Sequence, residues 1–296
     1  RSINRRLFTA RRFLPKVFYD VIKNKDAQIQ GDMDAVANIN RDYNKIIKSV
    51  KDPNERENLE KLSDQLLRGE EVEIREDLRE VITSMRNMID DLSRKLLLDP
   101  TINAETKLKI KNNLGSYLTR SYQKFDSKNW KTKISDDVIS AASSLLYERY
   151  KQEDPNLTEE QILEKIDKQI NKTLKGKAGT NWIFKKEISG KDIAAMKSKQ
   201  DIPLEIRMLM GEYTDVAQNF AKTIIKLSSQ TNTSQMLRDI RAIGLQTGIL
   251  KKNDDTPGFS EKIAPTESKA FKEIAGLYTT PEIAEEFNRM VDQKPK

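Results

Sequence analysis

Residues 77–97, DLREVITSMRNMIDDLSRKLL, place Leu78, Ile82, Met85, Ile89, Leu92 and Leu96 at alternating steps of four and three. On a helix of 3.6 residues per turn that spacing forms one apolar stripe, and three heptads of it predict a helix packed in a bundle. Asp99-Pro100 ends the seam, because the residue before proline is driven out of the helical region.

The same period recurs on either side. Ile29, Met33, Val36, Tyr43, Ile46, Ile47 and Val50 predict a helix over 27–50. Asp52-Pro53, an N-cap followed by proline at the first helical position, opens another that Gly69 stops. These two form a helical hairpin. Asn103 caps a helix predicted to run through Leu108, Leu114, Tyr117, Leu118, Tyr122 and Phe125, and a further helix spans 136–150. Thr158 with Gln161 forms a capping box, with Leu157 stapled on Ile162, for a helix closing near Gly176.

Residues 177–201, with glycines and a Trp but no sustained stripe in the first half, read as a loop or short hairpin and as a domain boundary. After it come a short helix from Pro203 to Gly211 and a long polar-rich helix or pair over 214–243. Turns at Gly244 and Gly248 and a last helix from Thr280-Pro281 to Val291 finish the chain. Alternating strand-like runs long enough for a sheet are absent. The expectation is an all-α, elongated multi-helix bundle, divided into a basic amphipathic arm (1–24), a helical bundle (25–176), a linker (177–201) and a second helical subdomain (202–296).

Composition agrees with that architecture: 36% hydrophobic, 33% charged and only 6% aromatic. Such a chain is lean in core material and rich in solvated faces. Cysteine and histidine are both absent. Their absence excludes disulfides, zinc sites built on those residues, thiol nucleophiles and any triad with an imidazole base. Acid doublets such as Asp90-Asp91 and Asp136-Asp137 point about 100° apart on a helix, so neither offers two carboxylates to one metal. GKAGTNW lacks the spacing of a phosphate-cradling loop. No catalytic residue, cofactor or metal site is expected, and the segment reads as a non-enzyme.

The formal charge of +7 permits nucleic acid as a partner. Arg5, Arg6, Arg11 and Arg12 lie in a short helix suited to phosphates or an anionic membrane surface. Lys128, Lys131 and Lys133 surround Trp130, a pattern that supports backbone contacts plus base stacking. No apolar run reaches the roughly 20 residues of a transmembrane helix. Arg86 and Asp90 stand one turn apart and predict an i,i+4 pair that aims Tyr117 or Arg120 of the next element. The chain starts at Arg1, and RSINRRLFTARRFLPK reads as the interior of a longer polypeptide.

Four segments, MRNMIDDLSRKLL, NNLGSYLTRSYQKF, IPLEIRMLMGEYTD and LRDIRAIGLQTGIL, together resemble a helical region of giant bacteriophage polypeptides: the polyvalent proteins and the large internal virion proteins ejected with the genome. The likeness spans roughly residues 75–250. It implies a structural or assembly module inside the capsid, delivered to the host cell on infection, with other virion proteins or copies of itself as partners. The alternative is a nucleic-acid-binding module beside an enzyme domain of the same polypeptide. The resemblance carries no active-site residues with it.

Overall fold

The computed structural model describes residues 14–120, 122–126, 129–174, 202–263 and 273–292. In chain order the helices are α1 (Lys16–Ser49), α2 (Pro53–Leu67), α3 (Glu76–Leu98), α4 (Ala104–Asn112), a single turn α5 (Gln123–Asp126), α6 (Asp136–Glu153), α7 (Glu159–Leu174), α8 (Leu204–Leu209), α9 (Val216–Thr247) and α10 (Pro281–Asp292). A 3-10 turn lies at Trp130–Lys133. The strand content of the described residues is one antiparallel ladder, β1 (Glu261–Lys262) on β2 (Tyr278–Thr279). The fold is all-α, as the periodicities require.

Local signals account for most boundaries. The Asp52 carboxylate accepts from the N–H of Asn54, and Asn103 accepts from Thr106, each satisfying a donor at a helix start that has no intrahelical partner. The capping box forms in both directions: Thr158 N–H donates to Gln161 Oε1 at 3.0 Å, and Gln161 N–H donates to Thr158 Oγ1 at 3.3 Å. All six residues of the α3 seam are buried. Asp215 opens α9 by accepting from Gln218 N–H, and α9 then runs unbroken to Thr247.

The described residues gather into two compact units that interleave along the chain. One holds the chain up to Asn38, Asp91–Ile102 and everything from Ile224 on; the other holds Ile39–Asp90 and Asn103–Thr223. This corrects the expected sequential division. Residues 23–26 carry neither Pro nor Gly, so nothing stops α1 at position 24, and it continues to Ser49. The helices α1, α3 and α9 each supply residues to both units. The linker expected at 177–201 lies outside the described residues.

In the first unit, Phe18 and Ile22 of α1 are buried with Leu237 and Ile240 of α9, Leu250, Ile263, Ile274, Leu277 and Phe287 of α10. The Phe18 and Phe287 rings meet at 6.0 Å and 59°. That tilted geometry is one that aromatic quadrupoles favour. Gly244, expected as a turn, is inside α9. A Cβ there would collide with the Leu250 side chain and stand 3.0 Å from the Phe18 ring, so the glycine is a packing residue. The turn falls at Gly248, whose φ is 74°. That conformation suits a residue without a Cβ.

In the second unit, α6, α7 and α8 bury Ala142, Leu146, Ile162, Ile166, Ile170, Ile206 and Leu209 together with Tyr122. The predicted helical stripe from Leu108 to Phe125 does not exist. The helix α4 stops at Asn112, Gly115 follows at a φ of 80°, and residues 117–120 are not helical. Asn112-Asn113 ahead of Gly115 is itself a helix-stop signal, and it overrides the apolar spacing. Leu108, on that supposed stripe, is 58% exposed, whereas Tyr117, Leu118 and Tyr122 are buried without a helix to place them.

Candidate functional site

The segment 113–124 is where polar side chains of the second unit converge. Its far end pairs with residues 210–212 as a short bridge: Tyr122 lies opposite Glu212, Gln123 N–H donates to Gly211 O at 2.8 Å, and Lys124 N–H to Met210 O at 3.3 Å. Gly211 has a φ of 66°, and a Cβ there would come within 3.1 Å of Gln123 and 3.4 Å of the Trp130 ring. Both conformation and space therefore call for glycine.

This bridge places Glu212 between two arginines. Arg120 Nη1 donates to Oε1 at 3.0 Å and Arg207 Nη1 to Oε2 at 2.9 Å, with the carboxylate side chain only 7% exposed. Burial pushes the Glu212 carboxyl above its ordinary range, while Arg120 and then Arg68 pull it back. Arg68 is itself held bidentately by Asp64, at 2.7 and 3.0 Å. Burial, reinforced by the Glu212 charge, raises the neighbouring Tyr122 hydroxyl well above the ordinary tyrosine value.

The near end of the segment is held by the i,i+4 pair on α3. Arg86 donates to Asp90 at 3.1 Å, to the Leu67 carbonyl at the end of α2 at 2.9 Å, and to the Tyr117 carbonyl at 2.9 Å. Asp90 in turn accepts from Gly115 N–H at 3.0 Å. The backbones approach so closely here that a Cβ on Gly69, at a φ of 83°, would lie 2.7 Å from the Gly115 oxygen. Midway, Thr119 N–H donates to Thr223 Oγ1 of α9 at 3.0 Å. The Tyr117 hydroxyl meets Thr119 Oγ1 at 3.0 Å, and burial raises that phenol to about 12.

Chemically, this cluster is a clasp. The charged ends of Arg86, Asp90, Arg120, Arg207 and Glu212 are turned onto one another and onto backbone groups, a pattern that fixes loop geometry. Of the expected site residues, Arg86, Asp90, Tyr117 and Arg120 are thus brought to one segment. The i,i+4 pair forms as anticipated, and it reaches Tyr117 through the backbone carbonyl. Glu212 and Arg207 were missed, because 92 residues separate Glu212 from Arg120 and nothing local in either stretch names the other.

The expected nucleic-acid residues fare differently. Arg5, Arg6, Arg11, Arg12 and Lys128 lie outside the described residues, and the Lys133 side chain is not described. Lys131 is exposed, but Trp130 is only 3% exposed and packs beside Gly211. This corrects the stacking expectation: the ring offers no free face to a base.

The first unit has a buried carboxylate with a different donor set. Asp99, just after α3, has a side chain 3% exposed and takes Arg238 Nη1 at 2.6 Å, Ser234 Oγ at 2.5 Å, Thr101 Oγ1 at 2.7 Å and Thr101 N–H at 2.9 Å. Burial alone would raise it. The donors from Ser234, Thr101 and Arg238 outweigh burial and hold it at about 2, too acidic to exchange protons near neutrality. The sequence marked Asp99 only as a helix stop. The polar run SSQTNTSQ on α9, which supplies Ser234, was the available signal.

Among the described residues no group of three or more acidic side chains is placed to hold a metal ion, and no helix is long and apolar enough to cross a membrane. Comparison with protein-family models, with curated proteins and with solved structures finds no match to this chain.

Proposed function

We propose that this chain is a structural, assembly-forming helical module, and that its setting is a large internal virion protein of a bacteriophage, packaged in the capsid and ejected with the genome. The observation that carries the structural reading is the fate of the buried charges: Arg86 binds Asp90 and two backbone carbonyls, and Arg120 and Arg207 bind Glu212, all within their own unit. Such inward-facing networks specify one arrangement of loops and helices. The phage setting rests on the resemblance of the four segments, two of which, NNLGSYLTRSYQKF and IPLEIRMLMGEYTD, meet in the Arg120–Glu212 clasp. A chain without cysteine also has no disulfide to reduce before threading through a narrow channel unfolded.

The test is the protein content of purified particles of the phage encoding this chain, measured by mass spectrometry before and after DNA release is triggered in vitro. Peptides of this chain are expected in filled particles and depleted from emptied ones. Their absence from filled particles, or full retention after release, overturns the proposal.

A further inference from the structure

The last turns of α1, in the second unit, carry Arg41, Lys45 and Lys48, all exposed, at steps of four and three. At about 100° per residue the three fall within roughly 60° of one another and form one stripe about 10 Å long. Tyr43 and Ile47, both buried, turn the other way into the unit. Lys51, just past the helix, is exposed as well. None of these four cations makes an ion pair among the described residues.

That isolation sets the stripe apart. Other exposed cations of the same unit stand one turn from an acid and pair with it: Lys61 with Glu57, Arg149 with Glu153 and Lys168 with Glu164. On the stripe, one turn from a cation is another cation, and like charges at that spacing destabilise a helix. Asp42, three residues before Lys45, makes no ion pair with it, and the Asp52 carboxylate is taken by the Asn54 N–H at the start of α2. The helix dipole favours a cation in the last turn, which accounts for Lys48 but not for Arg41 or Lys45. Even at that end, Arg56 already donates to the Val50 carbonyl at 2.7 Å.

The surroundings select the partner. No large hydrophobic side chain of residues 39–51 is exposed, so the stripe lacks the apolar edge with which an interfacial helix enters a lipid surface. It also lacks an exposed aromatic ring to stack on unpaired bases. What it offers is positive charge every 4.5 to 6 Å or so along a straight helix, complementary to the phosphates of a duplex, about one charge per 1.7 Å of axis.

We propose that this face of α1 is a sequence-independent contact for the phosphate backbone of duplex DNA, with Arg41, Lys45 and Lys48 replacing counterions and Lys51 extending the stripe. Such a contact goes beyond the assembly reading and requires no particular particle or host.

Fluorescence anisotropy of a labelled duplex of mixed sequence, titrated with the full chain between about 50 and 200 mM salt, tests it. Wild type is expected to bind with an affinity that falls steeply as salt rises. The triple variant Arg41→Gln, Lys45→Gln, Lys48→Gln keeps good helix formers at exposed positions and removes three cations. Its plot of log affinity against log salt should be shallower by about 2 to 3, with binding at least about tenfold weaker at the low-salt end and circular dichroism unchanged. A second triple, Lys61→Gln, Arg149→Gln, Lys168→Gln, lowers the net charge equally at cations that already have partners, and should bind nearly as wild type does. The absence of duplex binding by wild type overturns the proposal, as does a stripe variant with the wild-type slope. An equal loss in both triples overturns it too, by assigning binding to net charge alone. Loss of binding to anionic lipid vesicles in the stripe variant, with duplex binding intact, overturns it in favour of a membrane surface. None of these results bears on the particle-composition test.

Discussion

Glu212 and Asp99 both have buried carboxylates paired with arginine, and each locks a chain segment, yet their proton affinities move in opposite directions. Glu212 receives two guanidiniums but no backbone N–H or hydroxyl donor among the described residues, and burial prevails. Asp99 receives one guanidinium, two hydroxyls and a backbone N–H, and the donors prevail. An arginine partner therefore does not by itself make a buried carboxylate strongly acidic; the depth of burial and the number of short donors together set the sign.

Removing the carboxylates separates the two most sharply. Glu212→Ala leaves Arg120 and Arg207 facing each other without an anion, and urea unfolding should show a loss of roughly 3–5 kcal/mol. Asp99→Asn keeps one of the two acceptor oxygens, enough for the Thr101 donors, and gives up the charge and the acceptor for Ser234, so a smaller loss of about 1.5–3 kcal/mol is expected. Equal losses would mean that the donor sets do not differ in kind.

Acid titration of stability sharpens the comparison. Asp99 is held at about 2 when folded, against 3.8 for an ordinary aspartate. Its stabilisation is therefore complete above pH 3.8 and disappears as pH falls from about 4 to about 2. Glu212 is raised above 4.5 when folded, so its contribution has the reverse sign: stability is gained as pH falls through the folded value. Urea midpoints across pH should show Asp99→Asn flattening the acid loss, and Glu212→Gln removing the gain above pH 4.5.

Packing supplies a further contrast. Gly244→Ala sets a methyl against Leu250 and Phe18 and is expected to cost about 1–3 kcal/mol, whereas Gly31→Ala, in open space, should be neutral or stabilising. The smallest effect belongs to the capping box: Thr158→Ala should cost about 1 kcal/mol by thermal unfolding, because only one exposed donor loses its acceptor.

What was legible in the sequence was local. The α3 seam, the Asp52 and Asn103 caps, the Thr158–Gln161 box and the Arg86–Asp90 pair all act within one or two helical turns, so their spacing declares them. Glycine was misread twice for one physical reason. Gly115 and Gly244 have the same side chain, but one supplies a positive φ and the other makes room for Phe18 and Leu250, a role visible only once those residues are in place. The clasp was illegible because Arg120 and Glu212 are remote in sequence. The interleaved units were illegible because helix periodicity says which face is buried and not against what.

The central claim, that the buried charge network is structural, is tested most directly by a double-mutant cycle on Arg120→Met and Glu212→Gln, read by urea unfolding at neutral pH. The prediction is that each single variant is destabilised and that the double variant loses clearly less than the sum, a coupling of roughly 1 kcal/mol or more. Strictly additive losses, or single variants as stable as wild type, would contradict it.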